Sequence, residues 1–339
     1  MAAKCVGVAG ARRLLAGSGS VEDALDALSP GERREAESRA VALTEAAARA
    51  GIEILVAGDD RYPRRLNGLP DPPPVLFALG STTRFAEPAV AIVGSRKSTA
   101  YGARITRRLA ADLAARGVTI VSGLAFGIDG EAHVTTLDAG GHTIAVLGTG
   151  ADVPYPRAHD RLHRRIAREG TIVSERAPGA AAHIGAFPRR NRMIAALADV
   201  TVVIEAGAKS GALITARIAG EIGRAVGAVP GPVDAATSEG SNGLLRDGAQ
   251  VITSPDDVLG LLRLSPARVG EVPDPRDLRK AVTSSDERKL LEVLRAGPRM
   301  TDELVTASGL APREVIAALT SLDLLGLVET SVGGLVAAR

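Results

Sequence analysis

The residues best equipped for chemistry stand just after apolar runs. Gly94-Ser95-Arg96-Lys97-Ser98 follows Val90–Val93, and Ser122-Gly123-Leu124-Ala125-Phe126-Gly127-Ile128-Asp129 follows Val118–Val121. Gly148-Thr149-Gly150 follows Thr143–Leu147. Glu205-Ala206-Gly207-Ala208-Lys209-Ser210-Gly211 follows Val200–Ile204, and Pro230-Gly231-Pro232 follows Ala225–Val229. Glycine lets backbone N–H groups approach an oxyanion closely. A helix that follows adds unpaired donors and a partial positive charge. Ser and Thr hydroxyls with Arg or Lys complete such a cradle. Glycine also punctuates ordinary strand-to-helix turns, so one loop of this kind means little. Four or five of them point to a phosphate-binding edge.

A second cluster is Phe187-Pro188-Arg189-Arg190-Asn191-Arg192-Met193-Ile194. It leads into a helix predicted over Asn191–Ala198. Arginines at a helix start oppose the macrodipole. Their placement there predicts a bound anion, against the plainer alternative of a solvated basic turn. The Phe187 ring is equally readable as a core residue or as a platform for a base, which would contribute about 1–3 kcal/mol on stacking. Rings are scarce in this chain, at 2% with no Trp. Phe126, Phe187, Tyr101 and Tyr155 are the ones open to such a role.

Other chemistries lack their residues. Gly207-Ala208-Lys209-Ser210 has neither the Gly-Lys-Ser/Thr of a P-loop nor its upstream glycine. Gly123, Gly127 and Gly130 do not make the G-x-G-x-x-G dinucleotide fingerprint. The single cysteine, Cys5, builds neither a disulfide framework nor a zinc cluster. His133 and His142 have no partner at metal spacing and read as structural. His159 and His163, among Arg161, Arg164, Arg165 and Arg168, read as a solvated basic helix face, with auxiliary DNA contact as the second reading. Asp129 reads as a helix N-cap, Glu205 as a residue ordering its loop, and Lys97 as exposed and incidental. Lys plus Arg number 41 against 39 Asp plus Glu, so any site for a polyanion must be local. No apolar run reaches the roughly 18 residues of a membrane span, and no signal peptide is visible at the start. A cytoplasmic, reducing location without cofactor or metal is the expectation.

The elements that must position these loops alternate. Short, apolar, β-branched runs are predicted strands: the five above, Thr171–Val173 and Gln250–Ile252. Helical periodicity lies between them over Arg104–Ala115, Glu131–Ala139, Asp160–Arg168, Asn191–Ala198 and Ala212–Ile222. Apolar strands alternating with helices imply a mostly parallel sheet covered on both faces. Ligands of such sheets bind at the carboxyl ends of the strands. The predicted architecture is α/β and doubly wound. Before it lies an Ala- and Arg-rich region over 1–80, with helices expected over Val21–Leu28 and Ala36–Arg49 and a strand at Val75–Leu79. After it come a Pro- and charge-rich linker, 264–282, and a C-terminal module, 283–339. Helical patterns at Asp286–Leu294, Thr301–Ser308 and Pro312–Leu322, then two apolar segments, predict a winged helix. Its Asp302, Glu303, Glu314 and Asp323 outweigh Arg313. A recognition helix for DNA needs local positive charge, so protein contacts are the expected use.

The ordered set of loops resembles the DprA/Smf family (DNA-processing protein A). The blocks are Gly94-Ser95-Arg96, Ser122 to Asp129, Phe187 to Arg192, Lys209-Ser210-Gly211-Ala212-Leu213-Ile214-Thr215-Ala216, Gly223-Arg224, Val229-Pro230-Gly231 and Gly240-Ser241-Asn242-Gly243-Leu244-Leu245. Together they span about Val90 to Asp257 of the predicted domain, 81–263. The resemblance implies a Rossmann-like domain that binds single-stranded DNA without catalysis. It also implies a homodimer that helps load RecA onto incoming DNA during natural transformation. Carried over by position, the phosphate-binding residues are Gly94, Ser95, Arg96, Ser122, Gly123, Gly127, Arg189, Arg190, Asn191, Arg192, Lys209, Ser210 and Gly211, and Phe187 is the base-contacting residue. The family often has a basic residue before the Phe-Pro block, where Ala180 to Ala186 offers only His183, with Arg176 as a substitute. The N-terminal region resembles a shortened helix-hairpin-helix (SAM-like) module around Gly7-Val8-Ala9-Gly10.

Two other functions stay in view. A nucleotide-processing phosphoribohydrolase of the lysine decarboxylase-like type shares the scaffold, but Ile214 and Thr215 stand where its catalytic acids belong. A transcription regulator working through the C-terminal module is opposed by that module's acidic helices.

Overall fold

The computed structural model describes residues 26, 28–183, 185–264, 284–294, 297–324, 327–330 and 335–338. The chain divides into two compact units, Met1–Arg268 and Val269–Arg339. The expected N-terminal module around Gly7 to Gly10, most of the Val21–Leu28 helix and the linker lie outside the described residues.

The first unit is built on one nine-stranded sheet. Its strands are β1 (Glu53–Val56), β2 (Val75–Gly80), β3 (Ala89–Val93), β4 (Thr119–Ser122), β5 (Thr143–Leu147), β6 (Thr171–Ser174), β7 (Val200–Val203), β8 (Ala225–Ala228) and β9 (Gln250–Val251). Their spatial order is β1-β2-β6-β5-β4-β3-β7-β8-β9. Every pair from β6 through β9 in that order is parallel, whereas β1 and β2 add an antiparallel edge. The domain boundary at 80/81 therefore needs correction. Residues 53–80 belong to the sheet, because β2 pairs with β6 from Phe77↔Ser174 to Gly80↔Thr171. The segment Glu53-Ile54-Leu55-Val56 is only four residues long and has one fully buried side chain, so its sequence signal is faint.

The helices are α1 (Pro30–Arg49), α2 (Ala100–Ala115), α3 (Ile128–Asp138), α4 (Asp160–Glu169), α5 (Ala186–Leu197), α6 (Gly211–Glu221), α7 (Glu239–Arg246) and α8 (Pro255–Leu264). α1 starts six residues before its predicted start. Ser29 and Glu32 form a reciprocal capping box there, and Pro30 follows the cap. The central strand shows why helices cover both faces. Side chains alternate along a strand, so Ala89, Ala91 and Val93 join Met193, Ile194, Leu197 and Ala216 in one core. Val90 and Ile92 join Leu109, Leu113, Ile128, Val258 and Leu262 in the other.

The second unit holds α9 (Ser285–Leu294), β10 (Arg299–Met300), α10 (Thr301–Ser308), α11 (Pro312–Leu324), β11 (Val328–Thr330) and β12 (Leu335–Ala338). The three strands pair in the order β10-β12-β11. Leu290, Leu294, Leu304, Val315, Leu322 and Val336 fill its core. Gly309 sits left-handed at φ 68° and turns α10 toward α11. This is a winged-helix arrangement with a third strand, β10, too short for a sequence signal.

Three histidines are locked into the first unit. His133 shares a hydrogen bond between its Nδ1 and Thr143 Oγ1 at 2.7 Å. His142 Nε2 meets Thr171 Oγ1 at 3.0 Å, and His163 Nε2 meets the Ala151 carbonyl at 2.8 Å. His163 is thus on the buried side of α4, not on a solvated face. Burial pushes His133 down to about 3 and His142 down to about 4. Both stay neutral in the fold, whereas an exposed imidazole takes a proton below about pH 6.5. Between those values the unfolded chain binds more protons, so stability rises with pH. Their contribution is full above about pH 6.5 and is lost as the pH falls toward 4 and 3. In urea titrations across that window, His133→Asn should flatten the fall by up to about 1.4 kcal/mol per pH unit. An unchanged slope would contradict the assignment of His133 as a buried neutral base.

Candidate nucleic-acid interface

Strand order reverses between β3 and β7, the first pair from which the chain winds outward in both directions. The loops leaving these two strands part from each other, and a crevice opens at their carboxyl ends. A cleft of about 580 Å³ lies there. One wall is Gly94, Ser95, Arg96 and Lys97 after β3, and the other is Gly207, Ala208, Lys209, Ser210 and Gly211 after β7. Arg190 and Asn191 of α5 contribute to it as well.

The first wall is held by its neighbours. Ser95 N donates to the Glu205 carbonyl at 2.7 Å, and Ile128 N donates to the Ser95 carbonyl at 3.2 Å. Thr99 N donates to Glu205 Oε2 at 2.9 Å, so Glu205 orders this loop from beneath. Gly127 is left-handed at φ 74°, and a Cβ on it would overlap the Ser95 carbonyl oxygen. The second wall starts α6: Ser210 Oγ accepts from Ala212 N. Asn191 Nδ2 donates to the Gly211 carbonyl at 3.2 Å, tying α5 to that wall.

Beside the cleft lies a smaller cavity of about 110 Å³ walled by Phe126, Tyr155 and Phe187. The Tyr155 and Phe187 ring centres are 5.0 Å apart. Phe126, 47% exposed, meets His159 edge-on at 5.0 Å. The Arg96 guanidinium lies 5.9 Å from the centre of the Phe187 ring, within cation–π range. Arg96, Ala125 and Arg190 line both cavities. Tyr101, the fourth ring, is elsewhere: its hydroxyl donates to the Pro230 carbonyl.

Arg190 is the pivot between the two cavities. It is 5% exposed, and its Nη1 donates to the Val146 carbonyl at 2.7 Å. Burial pulls it down to about 10, with Asp129 opposing that shift. Burial raises the Asp129 carboxyl despite Arg190 and two backbone donors, Gly123 N at 3.1 Å and Ala125 N at 3.3 Å. Asp129 therefore is not the N-cap. Gly127 occupies that position, and Asp129 pins the preceding loop from inside the first turn.

The structure separates the thirteen residues assigned to phosphate and Phe187, assigned to a base. Gly94, Ser95, Arg96, Arg190, Asn191, Lys209, Ser210 and Gly211 line the cleft, Gly123 and Phe187 line the aromatic cavity, and Gly127 shapes the first wall from behind. Ser122, Arg189 and Arg192 line neither. Ser122 is buried and donates to the Ile92 carbonyl at 2.7 Å. Arg192 is buried between the Asp71 carbonyl, at 2.6 Å, and the Glu175 carboxylate. Arg189 pairs with Glu175 at 2.9 Å. α5 begins at Ala186, so Arg190 and Arg192 lie beyond its first turn, and the anion for Arg189 and Arg192 is Glu175 of the protein itself. Lys97, read as incidental, lines the cleft instead. Its only sequence signal was adjacency to Ser95 and Arg96. Among the described residues no group of three His, Cys, Asp or Glu could hold a metal ion.

An α/β sheet with an anion-receptive crevice at its switch point, followed by a winged helix, defines the class. The family described as DNA recombination-mediator protein A matches residues 53–263, and the DprA winged helix domain matches residues 273–334. The chain belongs to the DprA/Smf family. It is 40% identical over 313 residues to a Mycobacterium tuberculosis protein described as DNA processing protein DprA, covering 88% of this chain and 80% of that one. The solved DprA of Streptococcus pneumoniae superposes with a TM-score of 0.65 at 34% identity, over 77% of this chain and 93% of that one. DprA of Helicobacter pylori, solved to describe its single-stranded DNA binding mode, superposes with a TM-score of 0.57 at 32% identity, over 62% and 95%.

Gly123 tests the pivot. A Cβ there would overlap the Arg190 guanidinium and displace it toward the cavities it lines. Gly123→Ala should break the bond from Arg190 to the Val146 carbonyl and lower stability in chemical denaturation by about 1.5–3 kcal/mol, the usual worth of a hydrogen bond from a charged group. Wild-type stability in that variant would mean that Arg190 is not fixed where the structure has it.

Proposed function

We propose that this chain binds single-stranded DNA without sequence preference, as a non-catalytic recombination mediator. The observation that carries the reading is the adjacency of two complementary surfaces. Ser95, Arg96, Lys97, Lys209 and Ser210 surround a cleft for phosphodiester oxygens, and the aromatic cavity starts on the far side of Arg96. Every base has a π-face, so stacking on such rings is tolerant of sequence. A base lodged there cannot be paired, which favours a single strand over duplex. Family membership supports the further steps: a homodimer that protects incoming DNA and helps load RecA during natural transformation, in the cytoplasm. The winged helix, acidic on its helices, serves protein contacts in this reading.

The phosphoribohydrolase alternative has little support from the site. Ile214 and Thr215 occupy the positions of its acids. Asp129 is the one acid among the residues lining the cleft, and its carboxylate already accepts from two backbone N–H groups.

Mobility-shift titrations on a single-stranded oligonucleotide, repeated across salt, test the proposal. Wild-type protein should prefer the single strand to duplex, and Arg96→Ala should weaken binding to every sequence. The log–log salt slope should fall by about 0.7 for the lost phosphate contact. Equal binding by the variant at every salt concentration would remove the cleft from the interface.

A further inference from the structure

The aromatic cavity does not end at its rings. Its rim at Tyr155 and Pro156 runs directly into a 3-10 turn, Arg157–His159, and then into α4. That helix is split lengthwise. His163 and Ile166 are buried, with Leu162 and Ala167 packed on the same core. The opposite side carries Arg161, Arg164 and Arg168, and Arg157 stands in the 3-10 turn just before the helix, all four exposed. Spacings of three and four place the helical three in one stripe, and Arg157 stands between it and the cavity rim at Pro156. Arg164 pairs with Asp160 of its own helix. Arg165, on the flank, pairs with Asp138 and Glu169. Arg157, Arg161 and Arg168 make no ion pair among the described residues. Like charges at this spacing repel one another and weaken a helix, so an unpaired stripe carries a cost that an anionic ligand would offset.

We infer that this arginine stripe is a second binding track, which takes the phosphodiester backbone of the same single strand where it leaves the aromatic cavity. The inference rests on the single-strand reading of the cleft. Three things on the molecule favour nucleic acid as the occupant. The stripe is continuous with the cavity rim through Pro156 and Arg157. His159, in the same turn, supports the Phe126 ring edge-on and meets the Leu124 carbonyl at 3.0 Å, so turn and cavity are one rigid piece. Counted from Arg157, the stripe is also long and of one sign: at about 1.5 Å per residue it extends about 16 Å, a length suited to several successive phosphates. The track reads no bases, because it carries no ring.

The test compares two strand lengths with the full chain. One oligothymidylate of about 6 nucleotides fills only the cleft and cavity, and one of about 25 reaches the track, given site sizes of about 4–16 nucleotides. The combined variant Arg157→Ala, Arg161→Ala, Arg168→Ala should bind the short strand as wild type does. For the long strand its salt slope should fall by about 2, with affinity reduced on the order of tenfold at low salt. The corresponding triple Arg→Lys variant should restore both, since phosphates register the charge. Unchanged binding of the long strand by the alanine variant would overturn the track, as would equal losses on both lengths. Failure of the cleft reading looks different, because there Arg96→Ala leaves both lengths unaffected.

Discussion

The constraint on which this site depends is a buried guanidinium. Arg190 is withdrawn from water, anchored to the Val146 carbonyl and facing Asp129. Withdrawing a charge in this way is costly unless other groups replace its hydration. Here the Val146 carbonyl and Asp129 do so in part, and Nε stays buried without a hydrogen-bond partner. Several local features follow from that one placement. Gly123 has to lack a side chain so that Arg190 can lie against it. Asp129 has to sit inside the first turn of α3, where it also collects the Gly123 and Ala125 amides. The loop after β4 is thereby fixed between the loop after β3 and the rings of the neighbouring cavity.

Charge in this protein is divided between scaffold and surface in a way that charge counts do not reveal. Of three arginines in one tetrapeptide, Arg192 and Arg189 are consumed by Glu175, and Arg190 becomes the partition between the cavities. The cations that stay available at the cleft come from loops: Arg96, Lys97 and Lys209. Loops at strand ends suit that work, because their backbone amides face the same space as their side chains. The sheet beneath supplies rigidity through two cores packed on opposite faces of β3.

Periodicity and turn chemistry, by themselves, determined the parallel sheet, its seven parallel strands and the loops that rim the cleft. Short apolar, β-branched runs, four of them closed by glycine and a hydroxyl, have few other readings. The capping box at Ser29 and the edge strand β1 were equally present in the sequence, but their signals are local and weak. What only the tertiary structure decided was partnership. Whether an arginine serves a ligand or a carboxylate depends on which residue lies across space. Glu175 precedes Arg189 by 14 residues and lies on a different element, so no spacing rule pairs them. The same holds for Ser122, whose hydroxyl is taken by the neighbouring strand. Side-chain type and chain position are written along one dimension, while competition for a charge or a donor is settled by contacts among segments far apart in the chain.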